Sequence, residues 1–107
     1  MFENVHHIAI IGTDYIKTKE FYVDKLGFEV ISEHNRPEKN DIIINVKQGN
    51  LVLEIFIKEA APLRPKIPSP EYSGLRHLAF KVDDVEAVLK KFDELDIPHE
   101  ELRYDDF

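Results

Sequence analysis

His7 lies in the apolar run Val5-His6-His7-Ile8-Ala9-Ile10-Ile11, and His77 lies in Leu75-Arg76-His77-Leu78-Ala79-Phe80-Lys81-Val82. Glu54 interrupts a third apolar run, Leu51-Val52-Leu53-Glu54-Ile55-Phe56-Ile57. A carboxylate in such a strand is costly to bury unless it is neutralised, paired or bound to a cation. Two neutral imidazoles and one carboxylate suit a first-row divalent metal such as Zn, Ni, Mn, Co or Fe. Each residue taken singly has a simpler account. A lone His in an apolar strand is ordinarily a satisfied core or surface residue, and Glu54 can pair with a Lys or Arg on a neighbouring strand. His6 projects to the opposite face from His7 by strand alternation, outward or against a helix. His34 and His99 lie in polar segments and are expected to be solvated. Arg36 is expected to be a solvated surface cation, with contact to an anionic substrate group as the alternative. Arg76 is expected to point away from His77 and has no catalytic role.

The elements that must position these residues follow from patterning. Residues 4–11 read as a buried strand stopped by Gly12 and Thr13. Asp14 suits a helix N-cap, Tyr15, Thr18, Tyr22 and Leu26 recur at helical spacing, and Gly27 suits the stop. Residues 28–34 alternate and read as a strand, and residues 35–40 as a polar loop. Residues 42–46 are β-branched, Gln48-Gly49-Asn50 is a tight turn, and residues 51–57 return as the hairpin partner. Pro62, Pro65, Pro68 and Pro70 then make a stiff connector that enters neither a helix interior nor a sheet centre. Residues 75–82 read as another strand. Residues 83–86, Asp-x-x-Glu, approximate a capping box, ahead of a helical face of Val85, Val88, Leu89, Phe92 and Leu95 that ends before Pro98. Residues 99–104 are a candidate for a further strand.

An internal repeat orders these pieces. His7-Ile8-Ala9-Ile10 matches His77-Leu78-Ala79-Phe80, and each is followed by an acidic cap, Asp14 or Asp84, and a helix. The fold class expected is α+β: paired βαβββ modules forming a curved, partly open mixed sheet with helices outside, the second module incomplete. The first module covers 1–58, the connector 59–74 and the incomplete module 75–107, all in one domain. Equivalent first-strand positions, His7 and His77, are expected to face each other across the cleft of that sheet.

Composition narrows the function classes. A chain of 107 residues with formal net charge -7 is a poor binder of nucleic acid or of an anionic membrane. The absence of Cys excludes disulfides, thiolate ligands and a Cys nucleophile. No apolar run approaches the roughly 20 residues of a membrane-spanning helix, and the N-terminus lacks the pattern of a signal peptide. A cytoplasmic location is the expectation.

The stretch Val5-His6-His7-Ile8-Ala9-Ile10, the segment Phe21-Tyr22-x-x-x-Leu26-Gly27-Phe28, the strand Leu53-Glu54-Ile55-Phe56 and the stretch Gly74-Leu75-Arg76-His77-Leu78-Ala79-Phe80 together resemble the vicinal-oxygen-chelate (glyoxalase) superfamily, nearest its small bacterial glyoxalase I-like proteins. The resemblance implies a divalent metal on His7, Glu54 and His77, a small-molecule substrate, and a homodimer. It implies isomerisation of a hemithioacetal to a hydroxyacyl thioester through an enediolate, with Glu54 as the catalytic carboxylate. Epimerase, dioxygenase and thiol-transferase reactions belong to the same superfamily, as do non-catalytic modules that bind a drug or metabolite. A fourth ligand, a Glu on the last strand of the second module, has no counterpart: Glu100, Glu101, Asp105 and Asp106 do not lie in an apolar strand. Truncation of a longer protein is the expectation, and a three-ligand site completed by water is the alternative.

Overall fold

A computed structural model describes residues 1–66 and 70–104. Pro68 of the connector and the terminal Asp105, Asp106 and Phe107 lie outside the described residues. The chain divides into two compact units, Met1–Arg64 and Pro65–Phe107.

The first unit is a four-stranded mixed sheet with one helical segment. Strands β1 (Ile8–Gly12), β2 (Glu29–Arg36), β3 (Asp41–Gln48) and β4 (Leu51–Ile57) lie in the order β1-β4-β3-β2. β1 runs parallel to β4, while β2/β3 and β3/β4 are antiparallel. The β3/β4 hairpin turns at Gly49, whose φ of 58° is open to glycine at little cost. Period-two alternation sorts the side chains. Ile44 and Val46 of β3 and Leu53, Ile55 and Ile57 of β4 are buried, and form the core with Phe28. Val52, Glu54 and Phe56, one step out of phase, stay partly accessible on the other face.

Helix α1 (Tyr15–Lys19) covers the core face and continues as a π-helical stretch, Glu20–Lys25. Asp14 caps it as expected, its Oδ1 accepting from the Lys17 backbone N–H at 2.8 Å. Tyr15, Tyr22, Val23 and Leu26 pack on the core. The helix approaches β1 so closely that a Cβ on Gly12 would stand 2.8 Å from Thr18 Oγ1. Gly27, at φ 79°, ends the segment.

The bounds of β1, β2 and β3 differ from the sequence reading. β1 begins at Ile8 rather than residue 4, because its ladder with β4 begins at Ile8 opposite Leu53. It is also half-buried rather than buried: Ile8 and Ile10 pack against the core while Ile11 is exposed. β2 extends through Asn35 and Arg36, because both continue the ladder with β3 opposite Ile42 and Asp41. The loop shrinks to the 3₁₀ turn Pro37–Lys39, closed by Asn40 in the left-handed region.

The second unit contains helix α2 (Val85–Glu94), capped by Asp84 through the Ala87 N–H at 3.1 Å. The Ile97 N–H returns to the Phe92 carbonyl at 2.8 Å, closing the helix end, and Ile97 is buried. Residues 75–82 do not form the strand that their pattern predicts, and residues 99–104 form none either. A strand exists only through ladder partners, and no described segment of this unit pairs with either.

His99, expected to be solvated, is instead held at both ring nitrogens. Nε2 lies 2.7 Å from Asp93 Oδ1 and Nδ1 2.7 Å from the Glu100 carbonyl, with the Phe92 ring beside it. Two acceptors require two N–H donors, which only the imidazolium has. The Glu100 carbonyl first, and Asp93 after it, raise the His99 pKa. Folding therefore favours the charged form. This contribution to stability is fully present below the unfolded pKa and is lost as pH rises through the folded one. An NMR titration is expected to place the His99 midpoint above the ordinary histidine value, and Asp93→Asn to lower it. An unchanged midpoint in that variant would remove Asp93 from the account.

Candidate metal centre

Glu54 is at the middle of β4, an inner strand, opposite Ala9 of β1 and Asn45 of β3. The parallel β1/β4 register brings the start of β1 beside it. His7 Nε2 lies 3.9 Å from Glu54 Oε1, with the two side chains 41% and 29% exposed. That separation is too long for a hydrogen bond. Two ligand atoms each about 2.1 Å from a tetrahedral metal stand roughly 3.4 Å apart, which is near what this pair presents. Glu54 makes no hydrogen bond among the described residues, so its carboxylate is available. An imidazole nitrogen and a carboxylate oxygen on one accessible face fit two positions of a divalent cation.

His6 departs from expectation. Residues 6 and 7 precede the β1 ladder, so strand alternation does not separate them. Their rings meet edge to face, with Nδ1 2.9 Å from Nδ1. One ring must donate and the other accept. With the His7 Nδ1 engaged by His6, Nε2 is the His7 nitrogen turned toward Glu54.

His77 belongs to the second unit, where it is exposed outside any regular element. Among the described residues, no three His, Cys, Asp or Glu side chains gather into a group able to hold a metal. Within the first unit, His7 and Glu54 are the expected ligands that approach each other.

Sequence reasoning missed a second cluster on the sheet. Arg36, expected to be solvated, binds Asp41 with both Nε (2.8 Å) and Nη2 (2.7 Å), and Lys58 Nζ reaches the same carboxylate at 2.8 Å. The Asp41 side chain is fully buried. Its hydrogen bonds from Arg36 first, then Lys58, hold its pKa far below the usual carboxylate range. Both cations lie over the Phe56 ring, at 5.6 Å for Arg36 and 5.9 Å for Lys58. The missed signal was β2 itself: extending it through Arg36 places Arg36 directly opposite Asp41. On the helical face, Glu33 accepts from Tyr15 Oη at 2.5 Å and from Lys19 Nζ at 3.2 Å, tying β2 to α1. No described helix is long and apolar enough to cross a membrane.

Residues 4–102 match the Glyoxalase/Bleomycin resistance protein/Dioxygenase superfamily. A glyoxalase family protein from Enterococcus faecalis, of known crystal structure, is 53% identical, superposes with a TM-score of 0.92, and is matched over 99% of this chain and 82% of its own. The uncharacterized protein YaeR of Escherichia coli is 43% identical over 98% of this chain and 81% of its own. At greater distance, the mitochondrial methylmalonyl-CoA epimerase of Mus musculus is 25% identical over 79% of this chain and 49% of its own. The trypanothione-dependent glyoxalase I of Leishmania major, at 18% identity and TM-score 0.73 over 96% of this chain and 73% of its own, shares the fold.

Proposed function

The chain belongs to the Glyoxalase/Bleomycin resistance protein/Dioxygenase superfamily, and from that premise we propose that it is a metal-dependent enzyme of the glyoxalase I type, isomerising a hemithioacetal to a hydroxyacyl thioester. The observation that supports this reading is the approach of His7 Nε2 to Glu54 Oε1 on the accessible sheet face. His7 and Glu54 would hold the metal, with His77 as the proposed third ligand. A divalent cation there supplies Lewis-acid polarisation of substrate oxygens. Glu54 is the proposed base: its carboxylate takes a proton from one substrate carbon and returns it to the neighbouring carbon. The half-buried Val52 and Phe56 precede and follow Glu54 on the same face of its strand. His6 holds the His7 ring so that Nε2 faces the site.

Two results test the reading. Ni or Zn added to the metal-free protein at about 100 times its dissociation constant is expected to stabilise it by about 2.7 kcal/mol. The loaded protein is expected to turn over methylglyoxal mixed with a thiol. A melting temperature indifferent to every first-row divalent ion would sink the proposal.

Epimerisation of an acyl-CoA is a second reading, supported by the likeness to the mouse epimerase. It uses the same proton transfer at a carbon beside a carbonyl, and assay of methylmalonyl-CoA beside the hemithioacetal decides between them. A small-molecule substrate, a homodimer and a cytoplasmic location complete the proposal. Sedimentation tests the homodimer.

A further inference from the structure

Arg36 and Lys58 both donate to the buried Asp41 carboxylate. One cation is enough to balance a buried carboxylate, yet two contact it, so the trio carries a net positive charge on a chain of formal net charge -7. Asp41 takes two of the five guanidinium N–H donors of Arg36 and one of the three ammonium donors of Lys58. The Arg36 Nη1 makes no hydrogen bond among the described residues. Both side chains remain reachable, at 27% and 40% exposure.

Position links this spot to the candidate centre. Phe56, beneath both cations, is two residues beyond Glu54 on β4 and shares its face, so it is about 7 Å away along the strand. Asp41 first, then the fields of Glu38 and Glu54, raise the Arg36 pKa. Asp41 fixes the guanidinium plane through two hydrogen bonds and the Phe56 ring supports it, so little side-chain freedom remains to be lost on binding an anion.

We propose that Arg36 and Lys58, oriented by Asp41 over Phe56, form a site for a carboxylate or phosphate group at the non-reacting end of the substrate. This rests on the assignment of Glu54 to the reacting end. The shared chemistry is a multi-oxygen anion facing a planar guanidinium and an ammonium.

The test is an NMR titration of the isotopically labelled full chain with propionate, inorganic phosphate and the neutral propionamide. At least one anion is expected to give saturable shifts at Arg36 and Lys58, and propionamide none. Propionate alone identifies a carboxylate-bearing substrate, phosphate alone a phosphorylated one, and both together a site that accepts either. Arg36→Gln and Lys58→Gln are each expected to weaken the anion titration roughly tenfold or more, the loss of a charge-assisted hydrogen bond. A purely structural role would lower the melting temperature without changing the preference for anion over amide. If Arg36→Gln fails to fold, Lys58→Gln decides. Anion shifts that are absent, matched by propionamide, or unchanged in the folded variants overturn the site. No turnover is read here. An inactive chain that still prefers anions loses the enzymatic reading and keeps the site, and an active chain without that preference loses the site alone.

Discussion

Glu54→Gln is expected to lower hemithioacetal turnover by roughly 10²- to 10⁴-fold, the usual contribution of a positioned general base. The substitution keeps the shape of the side chain and removes only its charge and basicity. Glu54 makes no hydrogen bond among the described residues and its side chain is 29% exposed, so the apo fold should change little. The metal-dependent rise in melting temperature should shrink in the same variant, because amide oxygen is a weaker ligand than carboxylate for a divalent cation. Steady-state kinetics and melting curves with and without metal check both parts. Native turnover together with a native metal response in Glu54→Gln would remove Glu54 from the site.

Ile44→Ala is expected to destabilise the sheet unit by about 2–5 kcal/mol, the range for truncating a fully buried aliphatic side chain. Ile44 is completely inaccessible at the centre of β3, an inner strand, and packs in one cluster with Leu53, Ile55 and Phe28. Small domains have stabilities near 0.05–0.15 kcal/mol per residue, or roughly 3–10 kcal/mol for a unit of this size. A loss on that scale takes most of the margin. Urea denaturation followed by circular dichroism should show a midpoint shift far larger than for Ile11→Ala on the exposed end of β1. Equal shifts would mean that the core is not where the burial pattern places it.

Patterning made much of the first unit legible. β4 was read at its observed bounds, because its seven residues are apolar but for Glu54 and are preceded by a glycine turn. Asp14 and Asp84 were legible as helix caps, because capping is a contact over three residues and needs no tertiary context. The α+β class and the superfamily were both legible from motifs spread along the chain. What failed had a common physical source. Residues 75–82 have a strand's composition and no described partner, and composition alone closes no ladder. His6 lost its expected orientation because the ladder starts two residues later. Arg36 and His99 looked solvated because their partners, Asp41 and Asp93, are five and six residues away and meet them only through a strand pairing or a helix end.

By itself the sequence determined which donors this protein has to offer: two repeat-matched histidines, one carboxylate amid apolar residues, and no thiol. It also determined, through period-two alternation, that Glu54 and the core residues Leu53 and Ile55 face opposite ways. Only the tertiary structure decided that β1 lies parallel against β4, and so that His7 comes within 3.9 Å of Glu54. It likewise decided that Asp41 disappears beneath Arg36 and Lys58 on the face that Glu54 shares with Phe56. The reason is that alternation is a property of one strand, whereas strand order and register depend on which apolar faces find each other, and no single segment encodes that choice.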